Sequence, residues 1–316
     1  MTNACRVVAD IGATNARFAC VNQENGALQH QERYRCDDYP GLDALIRAYL
    51  AQLAPQRPQN LCLAVPAVVE NDLLYLPNRN WRHSQQALRR EFDLDLRFIN
   101  DFTAQLYATY TLAPDEIQWL GPARQRSGAI RAAVGPGTGL GVKALTPTGD
   151  LVPAEGGHVA WAPLDTHEID LLRLFHQRYA RVSVERLTSG PGLSLLYWGN
   201  SILAGREAEL EPEAVSAGAL DGDPLCRQAV TDFIKVLGAT AGDLALILAP
   251  FDGLFLMGDL LNHLAPLYDP ATLRARFDAK GRYATYCAGI PLALVQAQDT
   301  GLRGCAEFLR RHPAST

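Results

Sequence analysis

In 6-RVVADIGATNARFACV-21 an apolar run, Arg6–Asp10, stops at Gly12-Ala13, and a second run, Ala16–Val21, follows almost at once. A strand that halts at a glycine and returns reads as a hairpin. Its turn carries the carboxylate of Asp10, then Gly12, Ala13, Thr14 and Asn15. Several backbone N–H groups and a hydroxyl fall there in one concavity, which suits phosphate oxygens. Asp10 is placed to hold a metal ion bridging them. An ordinary hairpin turn accounts for the same residues.

Outward from this hairpin the α/β rhythm continues. Gln29–Arg35 extends an antiparallel meander, and Leu42–Leu53 has the helical spacing Leu42, Leu45, Ile46, Tyr49, Leu50, Leu53. Leu61–Val65 reads as a buried strand, Ser84 as the cap of a helix through Phe92, and Leu96–Ile99 as a strand that delivers Asn100-Asp101 to its end. In the second half, Ala129–Val134 leads into 135-GPGTGLG-141, a helical section runs from Asp223 to about Leu248, and Gly253–Met257 is a strand. Strand Pro291–Gln296 and helix Leu302–Arg310 close the chain. Two α/β parts, each opening with a strand and a glycine turn, imply two lobes around a cleft.

The chain has 316 residues, about two domains at ~150 residues each. With 48% hydrophobic and 20% charged residues it can bury a sizeable core. A net charge of -5 argues against nucleic-acid binding, which needs a basic face. It leaves room for a small anion held by backbone N–H groups and a metal ion. No apolar run approaches the ~20 residues that cross a bilayer, so no membrane association is expected. Asp10 and Arg17 interrupt the first apolar stretch, which argues against a signal peptide. Seven cysteines, an odd number with no CxxC pair, read as small buried hydrophobes of a reducing, cytoplasmic protein.

Four further clusters carry candidate chemistry. The glycines of 135-GPGTGLG-141 miss the dinucleotide pattern, since Leu140 stands where its third glycine belongs, and no P-loop exists. A second glycine hairpin facing the first would instead grip a polyphosphate from both sides. Asn100-Asp101 ends an apolar strand, where α/β proteins place ligands, and Asp101 there can take a hydroxyl proton or merely cap the next helix. In 155-EGGH-158, Glu155 and His158 can address one polar ligand across two glycines. A zinc site is a poor reading, as 167-HEIDL-171 lacks the second histidine. Glu185, in 183-SVERLTSGPG-192, reads as an acid in the first turn of a helix.

The order DIGATNAR, IND, GPGTGLG, EGGH, SVERLTSGPG, together with 78-NRNW-81, resembles the bacterial glucokinases, within the superfamily of sugar kinases, hexokinase, actin and heat-shock ATPases. That resemblance implies an α/β, two-lobed actin-like ATPase (ribonuclease H-like) fold with a central interdomain cleft. It implies a small domain, 1–110 plus 299–316, and a large one, 111–298. It implies glucose contacts at Asn100, Asp101, Glu155, His158 and Glu185, with Asp101 as general base. It implies nucleotide contacts at Asp10, Gly12, Ala13, Thr14, Asn15, Gly137, Thr138, Gly139 and Gly258. ATP and Mg, the latter at Asp10 through the phosphates, a cytoplasmic location and a homodimer complete the expectation. Three positions depart from the family pattern: Asp259 after Gly258, the turn 249-APFDG-253, and Ala160 where an aspartate is common. A sugar-binding regulator with a degenerate nucleotide site, or a kinase for another hexose, are the competing expectations.

Overall fold

A computed structural model describes residues 5–66, 71–76 and 79–313, and the chain divides into two compact units. The first holds 1–113 and 297–316, the second 114–296.

The first unit is built on β1 (Arg6–Ile11), β2 (Asn15–Val21), β3 (Leu28–Arg35), β4 (Asn60–Val65) and β7 (Asp95–Asn100), in the order β3-β2-β1-β4-β7. Strands β1, β4 and β7 are parallel, β2 pairs antiparallel with β1, and β3 pairs antiparallel with β2. A separate hairpin pairs β5 (Leu73–Leu76) with β6 (Trp81–Ser84). The period of two along β1 divides its residues between two layers. Val7, Ala9 and Ile11 face α1 (Leu42–Gln52), through Leu42, Leu45, Ile46 and Tyr49. Val8 faces the other layer with Cys62, Ala64 and Ile99, against Ala104 of α3 (Asp101–Ala108) and Leu302, Cys305 and Leu309 of the C-terminal helix Thr300–Arg311. Between β6 and β7 lies α2 (Gln85–Phe92), whose cap Ser84 accepts the Ala87 N–H. Asp10, two residues beyond Val8, therefore belongs to the face of the C-terminal helix, at the carboxyl end of the parallel strands.

The second unit repeats this plan. Its sheet contains β8 (Ile117–Leu120), β9 (Arg131–Pro136), β10 (Leu140–Leu145), β11 (Leu151–Val152), β12 (Leu254–Leu256) and β13 (Leu292–Val295), ordered β11-β10-β9-β12-β13-β8. As in the first unit, the first strand of a glycine hairpin (β9/β10) belongs to a parallel set, here β9, β12 and β13, and β8 adds an antiparallel edge beside β13. The helices are α4 (Thr166–Phe175), α5 (Gly190–Leu203), α6 (Pro212–Asp221), α7 (Pro224–Leu248), α8 (Asp259–Leu264), α9 (Pro270–Asp278) and α10 (Ala284–Ala288). The 25-residue α7 starts where Asp223 accepts the Cys226 N–H. It buries Phe233, Ile234 and Leu237 against the core shared with Leu193, Leu196 and Val134. Among the described residues no helix is long and apolar enough to cross a membrane. The described cysteines are all free thiols.

The approach of the C-terminal helix to α3 is set by glycine. A Cβ on Gly304 would overlap the carbonyl of Ala104, so the C-terminal helix seats on α3 only because that side chain is absent. Gly304→Ala should cost ~3 kcal/mol or more, the upper end of overpacking, because backbone rather than a flexible side chain is in the way. Urea unfolding checks it; an unchanged midpoint would show that the two helices do not meet there.

Candidate active site

In the first unit the turn after β1 is pinned through its carbonyls. Gly12 N–H donates to Asn15 O at 2.9 Å and closes the turn. Cys36 N–H donates to Thr14 O at 2.9 Å, and Cys36 Sγ lies 3.6 Å from Gly12 O. Arg79 Nε donates to Ala13 O at 2.7 Å, while its Nη1 binds Asp37 and holds that carboxyl below the usual carboxylate range. Three consecutive carbonyls are thereby consumed. The N–H groups of Ala13 and Thr14, both exposed, have no protein acceptor among the described residues. Donors left open on a fixed turn are what an anion-binding concavity requires.

Asp10 sits beside this turn. A Cβ on Gly301, in the first turn of the C-terminal helix, would lie 2.5 Å from Asp10 Cγ, so the carboxylate occupies room that only a glycine leaves. Two strands across the sheet, β7 ends at Asn100, in register with Val65 as Asp10 is with Ala64. Asp10, Asn100 and Asp101 thus share the carboxyl end of three adjacent parallel strands, where open α/β sheets place ligands. The alternative reading of Asp101 as the helix cap is corrected. Asn100 is the cap, its Oδ1 accepting the N–H groups of Phe102 and Thr103 at 3.0 and 3.2 Å, and Asp101 is the first residue of α3.

In the second unit three separated motifs meet. Gly137 N–H closes its own turn on Gly139 O at 2.8 Å, and Gly190 N–H binds Gly137 O at 2.8 Å. Thr138 and Gly139 keep N–H groups without a protein acceptor among the described residues, as Ala13 and Thr14 do. Glu185 joins this turn to EGGH. Its Oε2 accepts the Leu140 N–H at 2.9 Å, its backbone N–H donates to Gly157 O at 2.9 Å, and its Oε1 lies 3.6 Å from His158 Nδ1. A Cβ on Gly139 would stand 2.6 Å from Glu185 Oε2, so the carboxylate lies directly over the glycine. Glu155 and His158 are exposed and Glu185 half-buried, all within reach of a ligand. Glu185 is not in a helix, contrary to the reading from sequence. It lies in a turn before α5, whose cap is Ser189, and a direct backbone hydrogen bond rather than the helix dipole holds its charge. Gly258, at the end of β12 beside β9, has φ +129°, and a Cβ there would lie 2.8 Å from Pro136 O.

Among the described residues no cluster of three His, Cys, Asp or Glu could hold a metal by itself. The sequence matches the glucokinase family model over residues 7–312. The chain belongs to the glucokinase family. It is 41% identical over 308 residues to a glucokinase of Chromohalobacter salexigens, covering 96% of this chain and 97% of that one. It is 36% identical over 307 residues to a glucokinase of Caulobacter sp. strain K31, covering 95% and 93%. The solved structure of a glucokinase from an Antarctic psychrotroph superposes with a TM-score of 0.90 at 30% identity, covering 97% and 99%. The chain is a sugar kinase and has the actin-like α/β fold of these enzymes.

The departures from the glucokinase pattern have local explanations. Asp252 of 249-APFDG-253 is a buried partner of Arg131, accepting its Nε–H at 3.0 Å. Asp259 is the exposed first residue of α8. Ala160 is exposed and pairs with Ser183 through its backbone. Of 78-NRNW-81, Asn78 lies outside the described residues. Arg79 falls within that motif, although its contact with Ala13 is not legible there, whereas Gly301 and Lys143 belong to none of the quoted motifs. Only Lys143 leaves a signal, a lone charge inside the apolar strand 140-LGVKAL-145.

Because Gly258 combines a left-handed backbone with a close carbonyl, Gly258→Ala should cost about 1–3 kcal/mol. Thermal unfolding checks this, and a variant as stable as the parent would contradict the geometry.

Proposed function

We propose that this glucokinase-family chain performs ATP-dependent phosphorylation of glucose at the 6-hydroxyl, with Asp101 as the general base. The observation that carries the reading is the tie made by Glu185, which sets a glycine turn with open N–H donors beside the carboxylates and imidazole suited to sugar hydroxyls. In the second unit, Glu155, His158 and Glu185 would meet sugar hydroxyls. In the first, Asn100 and Asp101 would address the reacting one. The N–H donors of Ala13, Thr14, Thr138 and Gly139 would bind phosphate oxygens, with Gly12, Asn15 and Gly137 shaping those turns and Gly258 serving the nucleotide side.

The residues fit a magnesium ion carried by the nucleotide. Mg²⁺ takes one or two protein carboxylates and completes its shell with phosphates and waters. Asp10 offers that one carboxylate, in the space left by Gly301. When bound, the ion would neutralise phosphate charge.

Catalysis then rests mainly on positioning. The 6-oxygen attacks the γ-phosphorus, the bond from that phosphorus to the β–γ bridging oxygen breaks, and ADP leaves with that oxygen. Asp101 takes the hydroxyl proton. It is the first residue of α3, and its Oδ1 accepts the Phe102 N–H at 2.7 Å. Asp101→Asn keeps the shape and removes the acceptor, so kcat should fall by ~10²–10⁴ while glucose binding survives. Steady-state kinetics with calorimetry for glucose checks both halves. Near-normal turnover in the variant would overturn the assignment.

A further inference from the structure

Lys143 lies on β10, in register with Ala133 of β9, and its side chain is only 9% exposed. Burying an ammonium is costly unless it is paired and hydrogen-bonded. Here both conditions are met by two neighbours in sequence. Nζ donates to Ala154 O at 3.0 Å and to Glu155 Oε1 at 2.6 Å. Glu155 itself is 68% exposed, and no other hydrogen bond to its carboxylate is made among the described residues. A carboxylate so exposed would ordinarily sample several rotamers. This one is fastened at one oxygen by a rigid, buried cation rooted in a strand, and its second oxygen remains for a ligand.

We propose that Lys143 is the positioning residue for Glu155: it orders one carboxylate oxygen in advance, so that glucose meets an oriented acceptor. The inference rests on the reading of Glu155 as a sugar contact. Ordering a flexible side chain before the ligand arrives lowers the entropic cost of binding, and the effect falls on affinity rather than on the chemical step. Lys143 touches neither of the proposed reacting groups, so its removal should act on the sugar alone. The fold should tolerate the loss. Removing the ammonium leaves an exposed carboxylate, which water solvates, and one carbonyl, which glutamine can still serve.

The test uses the full chain in two variants, Lys143→Met and Lys143→Gln, the latter keeping a donor for Ala154 O without the charge. Both should raise KM and Kd for glucose about three- to tenfold. Both should leave kcat within about twofold and KM for ATP unchanged. In a Glu155→Gln background, adding Lys143→Gln should change glucose affinity by less than about twofold, because the partner through which it acts has lost its charge. Wild-type glucose affinity in K143Q would overturn the proposal, as would a full multiplicative effect in the E155Q background, since Lys143 would then act elsewhere. If Glu155→Gln alone left glucose affinity unchanged, the sugar role of Glu155 would itself fall, and the proposal with it. That outcome is distinct from a failure confined to Lys143.

Discussion

The hydrogen bond from the Leu140 N–H to Glu185 Oε2 is the contact on which the second unit's site depends. One side chain, 45 residues away in sequence, closes the glycine turn at its far end and covers Gly139. Through its backbone N–H to Gly157 O the same residue fixes EGGH, and its other oxygen faces His158. A charged acceptor on a backbone donor is among the stronger hydrogen bonds, and here it couples the glycine turn of 135-GPGTGLG-141 to Glu155 and His158 within one compact unit. Glycine at 139 and 157 is what permits it, since a Cβ at either position would collide, at 157 with Leu140 O at 2.5 Å.

The first unit solves the same problem with other means. There Cys36 and Arg79 take the turn's carbonyls, and the N–H groups of Ala13 and Thr14 have no acceptor among the described residues. Both turns offer an anion backbone donors rather than basic side chains, which is how a chain with a net charge of -5 can serve a polyphosphate. The repeated sheet order gives this a structural basis. In each unit the glycine hairpin sits at the head of the parallel strands, so both turns lie at a sheet end of the kind where α/β proteins bind ligands.

Much of this was legible in the sequence, and the exceptions have physical causes. The hairpin at Gly12, α1 with its spacing of Leu42, Leu45, Ile46 and Tyr49, the Ser84 cap and the long helix from Asp223 all show local signals strong enough to survive tertiary context. The hairpin of Leu73–Leu76 with Trp81–Ser84 went unread because four-residue strands carry too little periodicity. From sequence Glu185 reads as an acid in a first helical turn, but the helix starts later, at the cap Ser189, where 189-SGPG-192 places Pro191 in its first turn. Motif order names candidate residues, but not what holds them in place. Lys143, Arg79 and Gly301 act through contacts distant in sequence or invisible in composition, and only coordinates bring them to Glu155, Ala13 and Asp10.

What the proposed site must do is transfer a phosphoryl group from ATP to a sugar hydroxyl rather than to water. Phosphorus-31 NMR of the purified chain with glucose, ATP and magnesium addresses it directly, because it resolves sugar phosphate, ADP and inorganic phosphate in one spectrum. Glucose 6-phosphate and ADP should appear in equal amounts, with inorganic phosphate at background. ADP accompanied by inorganic phosphate, or ATP left unchanged beside bound glucose, would contradict it.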